Sequence, residues 1–161
     1  MECGECDNNP WWAQESQKKK TMIEDIRVSV ETAELLKENG FPQDPNICNY
    51  AYTSRGRLSN NAKSFMHKSA ITVPSRCYTI APTLQMANEW LIENYGLYVS
   101  VDFEVDYDED ERGTKHYYEP SWYWNVYRMS DRKQMTDCDT LYSRHALALE
   151  SGIKHCLTKL I

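Results

Sequence analysis

The chain has 161 residues, enough for one domain that buries about two-thirds of its unfolded surface. Leu, Ile, Val and Phe are scarce, but eleven Tyr and five Trp supply large apolar bodies with polar tips, so composition points to a folded domain with an aromatic-rich core. A mean hydropathy of −0.70, with no apolar run near the roughly 20 residues of a spanning helix, argues against a membrane protein.

The net charge of −6 is unevenly spread. Residues 44–82 carry Arg55, Arg57, Lys63, Lys68 and Arg76 against Asp44 alone, whereas residues 83–130 carry ten carboxylates against Arg112, Lys115 and Arg128. Such segregation sets up a field across the surface, although most charge runs are simply solvated faces.

Residues 1–28 read as a polar tail without sustained periodicity, holding Trp11–Trp12 and Lys18–Lys20. Its start, "MECGECDNNPWW", lacks a basic stretch followed by an apolar one, so no secretory signal is expected. The six cysteines are therefore expected to stay as thiols in a reducing cytoplasm. From residue 29 to 161 a single α+β domain is expected. "SVETAELLKENGF" predicts a helix with Ser29 as its N-cap and Gly40 as its stop. "ICNYAYTSRGRLSNN" suggests a strand entering a turn at "SRGR", and "CYTIAP" a returning strand, with residues 59–76 open between them.

The C-terminal half is clearer. Pro82 and Gly96 bracket a helix whose Met86, Ala87, Trp90 and Leu91 form an apolar stripe. In the following strand Val99, Val101, Phe103, Val105 and Tyr107 alternate with Ser100, Asp102, Glu104 and Asp106. "SWYWNVYRM" predicts a partner strand reached across an acidic loop at 108–120, and "MTDCDTLY" a short third strand. A last helix capped by Ser143 carries Ala146, Leu149, Ile153, Cys156, Leu157 and Leu160 on one seam. This α-β-β-(β)-α order predicts an antiparallel sheet with helices packed on one face. Its core face should be Val99, Val101, Phe103 and Val105, covered by Trp90, Leu91, Leu149, Ile153 and Leu157.

Three blocks, "ETAELLKENGF", "APTLQMANEWLIENYGLYV" and "ALESGIKHCLTKLI", resemble signature blocks of small uncharacterised proteins of phages and prophages of gut Bacteroidetes. They span residues 31–161 with gaps, and the proline-led middle block is the most distinctive. The resemblance implies a phage-type accessory protein and supplies no catalytic residues.

The acidic run after the first strand invites a calcium reading, since Asp106, Asp108 and Asp110 fall at loop positions 1, 3 and 5. Position 6 needs glycine and holds Glu111, and position 12 needs glutamate and holds Tyr117, so the pattern fails where it is diagnostic. Asp102 and Glu104 lie about 6–7 Å apart on one strand face, a spacing that suits a catalytic pair, but nothing in the sequence gives them different environments. "CGEC" makes Cys3 and Cys6 weak metal candidates, as half a zinc site without a second pair. His145 and His155 are separated by about 15 Å of helix and cannot cluster; His155 should be exposed and Cys156 buried. The order from 82 to 161 also matches that of double-stranded RNA-binding domains, but "SRHALALES" lacks the lysine cluster that grips phosphate. No phosphate loop, GxGxxG, GxSxG or HExxH occurs.

The leading expectation is a non-enzymatic protein of the host-cell cytoplasm that binds a host or phage protein with a basic surface. Asp102, Glu104, Asp106, Asp108, Glu109, Asp110 and Glu111 would form its partner-binding face. The alternative is a nucleic-acid-binding module using Arg55, Arg57, Lys63, Lys68 and Arg76 with Tyr50, Tyr52, Phe65 and Lys18–Lys20. A small enzyme of a class without a readable motif is the third reading. No cofactor or membrane partner is expected, and a homo-oligomer stays open.

Overall fold

The computed structural model describes residues 26–64 and 78–161. Helix α1 spans Val30–Glu38 and starts where the sequence places it: the Ser29 side chain accepts the Thr32 N–H. Gly40, at φ +95°, ends it, and the Phe41 N–H reaches back to the Leu36 carbonyl at 2.8 Å. Ala33 and Leu36 are buried. The packing also takes in residues just before Ser29. Val28 is fully buried and donates to the Pro82 carbonyl at 3.1 Å, while Arg27 pairs with Thr83 in an isolated bridge.

Strands β1 (Ala51–Thr53), β2 (Leu58–Ser59) and β3 (Tyr78–Ile80) form a small antiparallel sheet in the order β2-β1-β3. The turn between β1 and β2 holds Arg55 and Gly56, the latter at φ +70°. The sequence implies one sheet; the structure has separate ones. Strands of two or three residues suffice for this small sheet because Ala51 and Ile80 are wholly buried, with β3 against α1.

Helix α2 (Leu84–Tyr95) begins at Thr83, whose hydroxyl accepts the Met86 N–H at 3.2 Å, and ends at the left-handed Gly96. Pro82 thus lies just outside the helix, one residue before the cap. Strand β4 (Leu97–Glu104) follows and pairs with β7 (Ser121–Arg128), which pairs in turn with β8 (Lys133–Asp137). Between them, β5 (Tyr107–Glu109) and β6 (Lys115–Tyr117) form a separate hairpin arm, where the sequence suggests only a loop. The last helix, α3 (His145–His155), runs into a wider π-turn at Cys156–Leu160. Arg144 occupies its cap position without a side-chain cap bond, so Ser143 stands one residue too early to cap it.

This is the α+β architecture predicted, with every pair of described strands antiparallel. Val99, Trp124 and Val126 turn inward to α2 and α3, where Ala87, Leu91, Ile153, Cys156 and Leu157 complete the core. The approach of α3 depends on Gly152: a Cβ there would lie 2.5 Å from Val99 Cγ1 and 3.1 Å from Trp124 Cγ.

The predicted core face holds only at its first end. Val99 is buried and Val101 half-buried, but Phe103 is 58% exposed and Val105 38%. The reason is geometric. Eight strand residues extend about 26 Å, whereas the twelve residues of α2 rise only about 18 Å, so the strand outruns the helix beside it. The alternating run also breaks after Glu104, and Tyr107 belongs to the arm. His155 is another correction: it is half-buried with its ring 5.0 Å from Trp124, and burial, then the charge of Lys159, lowers its pKa.

Candidate protein-binding face

With α2 and α3 on one side, the opposite face of the β4–β7–β8 sheet has no helix over it among the described residues. The two-residue period of the strands decides what stands there. From β4 come Tyr98, Ser100, Asp102 and Glu104; from β7, opposite them in register, come Tyr127, Asn125, Tyr123 and Ser121; from β8 come Gln134 and Asp137. A hydrogen-bonded row holds the middle. Asn125 Nδ2 donates to Asp102 Oδ2 at 3.2 Å, and Gln134 Nε2 donates to Asn125 Oδ1 at 3.2 Å and to Asp137 Oδ2 at 3.3 Å. Asn125 is buried at the centre of this row, while Asp102, Gln134 and Asp137 are exposed around it. At one side of it, Glu104, Tyr123, Asn125, Asp137 and Asp139 line an open cleft of about 310 Å³.

The seven carboxylates proposed from the sequence have different positions and tasks. Asp102 and Glu104 lie on the open face, whereas Asp108 and Glu109 lie on the arm and Asp106, Asp110 and Glu111 in connections. Asp110 shapes the arm's turn. Its Oδ1 accepts the N–H of Thr114 at 2.8 Å and of Arg112 at 2.9 Å, and Gly113 supplies φ +77°. Those bonds, Thr114's foremost, lower its pKa despite some desolvation, and His116 lies 3.7 Å away. Asp108 accepts the Tyr118 hydroxyl, and Glu109 sits opposite Lys115, whose ammonium lies over the Tyr107 ring at 4.3 Å. Tyr107, Tyr117 and Tyr118 are all exposed on the arm.

The basic region is only partly described. Arg55, Arg57 and Lys63 are exposed. Their neighbouring tyrosines are already engaged: the Arg27 guanidinium stacks on Tyr50 at 3.5 Å, and the Tyr52 hydroxyl donates to the Val28 carbonyl at 2.8 Å. Cys3, Cys6, Trp11, Trp12, Lys18–Lys20, Phe65, Lys68 and Arg76 lie outside the described residues. Among the described residues no three His, Cys, Asp or Glu side chains converge as a metal site requires, and no helix is long and apolar enough to cross a membrane. Cys48, Cys138 and Cys156 are free thiols, and burial pushes the Cys156 thiol up to about 12.

Sequence reasoning missed the tyrosines and amides of the open face. The signal was present in "SWYWNVYR": Trp122, Trp124 and Val126 alternate with Tyr123, Asn125 and Tyr127, so polar-tipped residues share one side. Comparison with protein-family models, with curated proteins and with solved structures gave no match.

Proposed function

We propose that this protein is a phage-type accessory protein that works in the host cytoplasm by binding a protein with a basic surface. The open face of the β4–β7–β8 sheet and the adjoining arm make the contact. The observation that carries this reading is one sheet face, uncovered among the described residues, that combines Tyr98, Tyr123 and Tyr127 with Asp102, Glu104 and Asp137 on a hydrogen-bonded floor. Tyrosine offers large contact area at low entropic cost, and carboxylates around it steer a cationic partner into place. The phage affiliation rests on the three sequence blocks alone.

The test compares capture from host lysate by the wild-type chain and by a triple variant, Glu104→Gln, Asp106→Asn and Glu111→Gln. These three carboxylates make no hydrogen bond among the described residues, so the fold should survive. A protein retained by the wild type should be lost or slowed in association by the variant, with a flatter dependence on ionic strength. Equal capture by both would overturn the reading. Recovery of nucleic acid in place of protein would move the site to Arg55, Arg57 and Lys63.

A further inference from the structure

Among the described residues strand β4 is an edge of its sheet, and its outer rungs differ in what satisfies them. In an antiparallel ladder alternate residues turn their N–H and C=O toward the neighbour and away from it. Gly96 accepts the Met129 N–H at 2.8 Å on the β7 side, so Leu97, Val99, Val101 and Phe103 point outward. At Val99 the Asn88 side chain substitutes for a strand, accepting the Val99 N–H and donating to its carbonyl, both at 3.0 Å. Val101 and Phe103 have no such partner among the described residues. The other edge, β8, is guarded by Lys133 and by a bulge that leaves Met135 without a partner across from it.

The open rungs lie between two unlike surfaces. On the helix side, Phe103 packs on Trp122 and Trp122 on His145, each with ring centroids 5.3 Å apart. His145 in turn lines an apolar groove of about 220 Å³ with Ile26, Leu84, Ala146 and Leu149. On the other side stand Asp102 and Glu104.

We propose that β4 receives an extended segment of the partner as a further strand, bonded to the outward backbone groups of Val101 and Phe103. This rests on the reading of the acidic face and adds the mode of binding. The segment that fits alternates apolar residues, which lie along Phe103 and Trp122, with lysine or arginine, which meet Asp102 and Glu104. A second copy of this chain fits poorly, because pairing β4 with β4 would set carboxylates against carboxylates.

The probe is an end-blocked eight-residue peptide of alternating lysine and valine, titrated into the full chain at low salt and followed by tryptophan fluorescence. A peptide of the same sequence, N-methylated at every inner residue, lacks the donors of both edges. Strand addition requires it to bind at least about tenfold more weakly, the scale of one or two lost hydrogen bonds. Phe103→Pro removes an outward N–H without touching the β7 ladder, and should bind about tenfold more weakly than Phe103→Ala. An alternating glutamate–valine peptide should not bind. Equal binding of the methylated and parent peptides would overturn strand addition and leave the acidic-face reading standing. Failure of the parent peptide to bind would also overturn it, while the lysate comparison judges the acidic face separately. Concentration-dependent dimerisation abolished by Phe103→Pro would overturn it in favour of a second copy.

Discussion

Glu150, in the middle of α3, accepts the backbone N–H of Ser29 at 2.6 Å. The same oxygen accepts the Thr32 hydroxyl at 2.6 Å, so a carboxylate from the last helix closes the first turn of α1. One turn further on, Lys154 pairs with Glu31. A negative charge at a helix N-terminus meets both the unpaired N–H groups and the positive end of the dipole. Burial by itself raises the Glu150 pKa, but the bonds from Ser29 and Thr32, with the charge of Lys154, outweigh it and hold the carboxyl below its usual range.

Glu150→Ala should therefore cost about 1–2 kcal/mol, a figure already discounted because solvent still reaches the group. Glu150→Gln keeps an acceptor and should cost less. The folded pKa is depressed, so the contribution is present above the unfolded value near 4.5 and is lost as pH falls through the folded one. Denaturant melts at pH 7, 5 and 3 provide the check. Wild type should lose more stability toward pH 3 than Glu150→Gln does, and parallel pH curves would refute the linkage.

Gly152 poses two opposed effects of known size. Alanine favours a helix interior over glycine by about 1 kcal/mol. A Cβ at 152, however, would lie 2.5 Å from Val99 Cγ1, inside a packed core, and overpacking costs about 1–3 kcal/mol. The contact involves a β-branched side chain and a tryptophan ring, neither of which can swing away, so Gly152→Ala should destabilise. Val99→Ala makes room, and in a double-mutant cycle the pair should cost less than the sum of the two single changes. A more stable Gly152→Ala protein would show that α3 can shift outward freely.

Phe103 and Trp124 separate the two ends of the sheet. Trp124 is 4% exposed, so Trp124→Ala should cost about 3–5 kcal/mol. Phe103 at 58% exposure keeps mainly its ring contact with Trp122, and Phe103→Ala should cost about 1 kcal/mol or less. Urea melts of both variants decide it. Comparable losses would put Phe103 back in the core.

The contrast at Phe103 also shows what the sequence can carry. Alternation told which residues of β4 share a side, and the caps at Ser29 and Gly96 marked helix boundaries, because those signals are local. How far α2 and α3 extend along the sheet is not local; it depends on the different rise of helix and strand and on where each begins. The acidic run was visible as a run, yet it could not be divided into Asp110, which shapes a turn, and Glu104, which faces outward. That division is set by backbone geometry, the turn at Gly113 for the one and the pleat of β4 for the other. Glu150 was unreadable for a related reason, since its partners are more than a hundred residues away.

Asn88 gives the sharpest test of the β4 edge. Its amide both donates to the Val99 carbonyl and accepts from the Val99 N–H, a pairing that a carboxylate cannot complete at neutral pH. Asn88→Ala should cost about 1–3 kcal/mol, because a half-buried backbone pair loses its partner. Asn88→Asp is nearly the same shape but brings an acceptor-only carboxylate against a carbonyl oxygen. It should be at least as damaging at pH 7 as alanine. Protonation restores a donor, so the folded state raises the pKa of the new carboxyl above its unfolded value near 3.9. Stability of Asn88→Asp relative to Asn88→Ala should then be greatest below that unfolded value and fall as pH rises through the folded one. Denaturant melts of the two variants between pH 3 and 7 measure this difference. If the gap between them does not change with pH, the Asn88 amide does not hold the edge of β4 by donating to Val99.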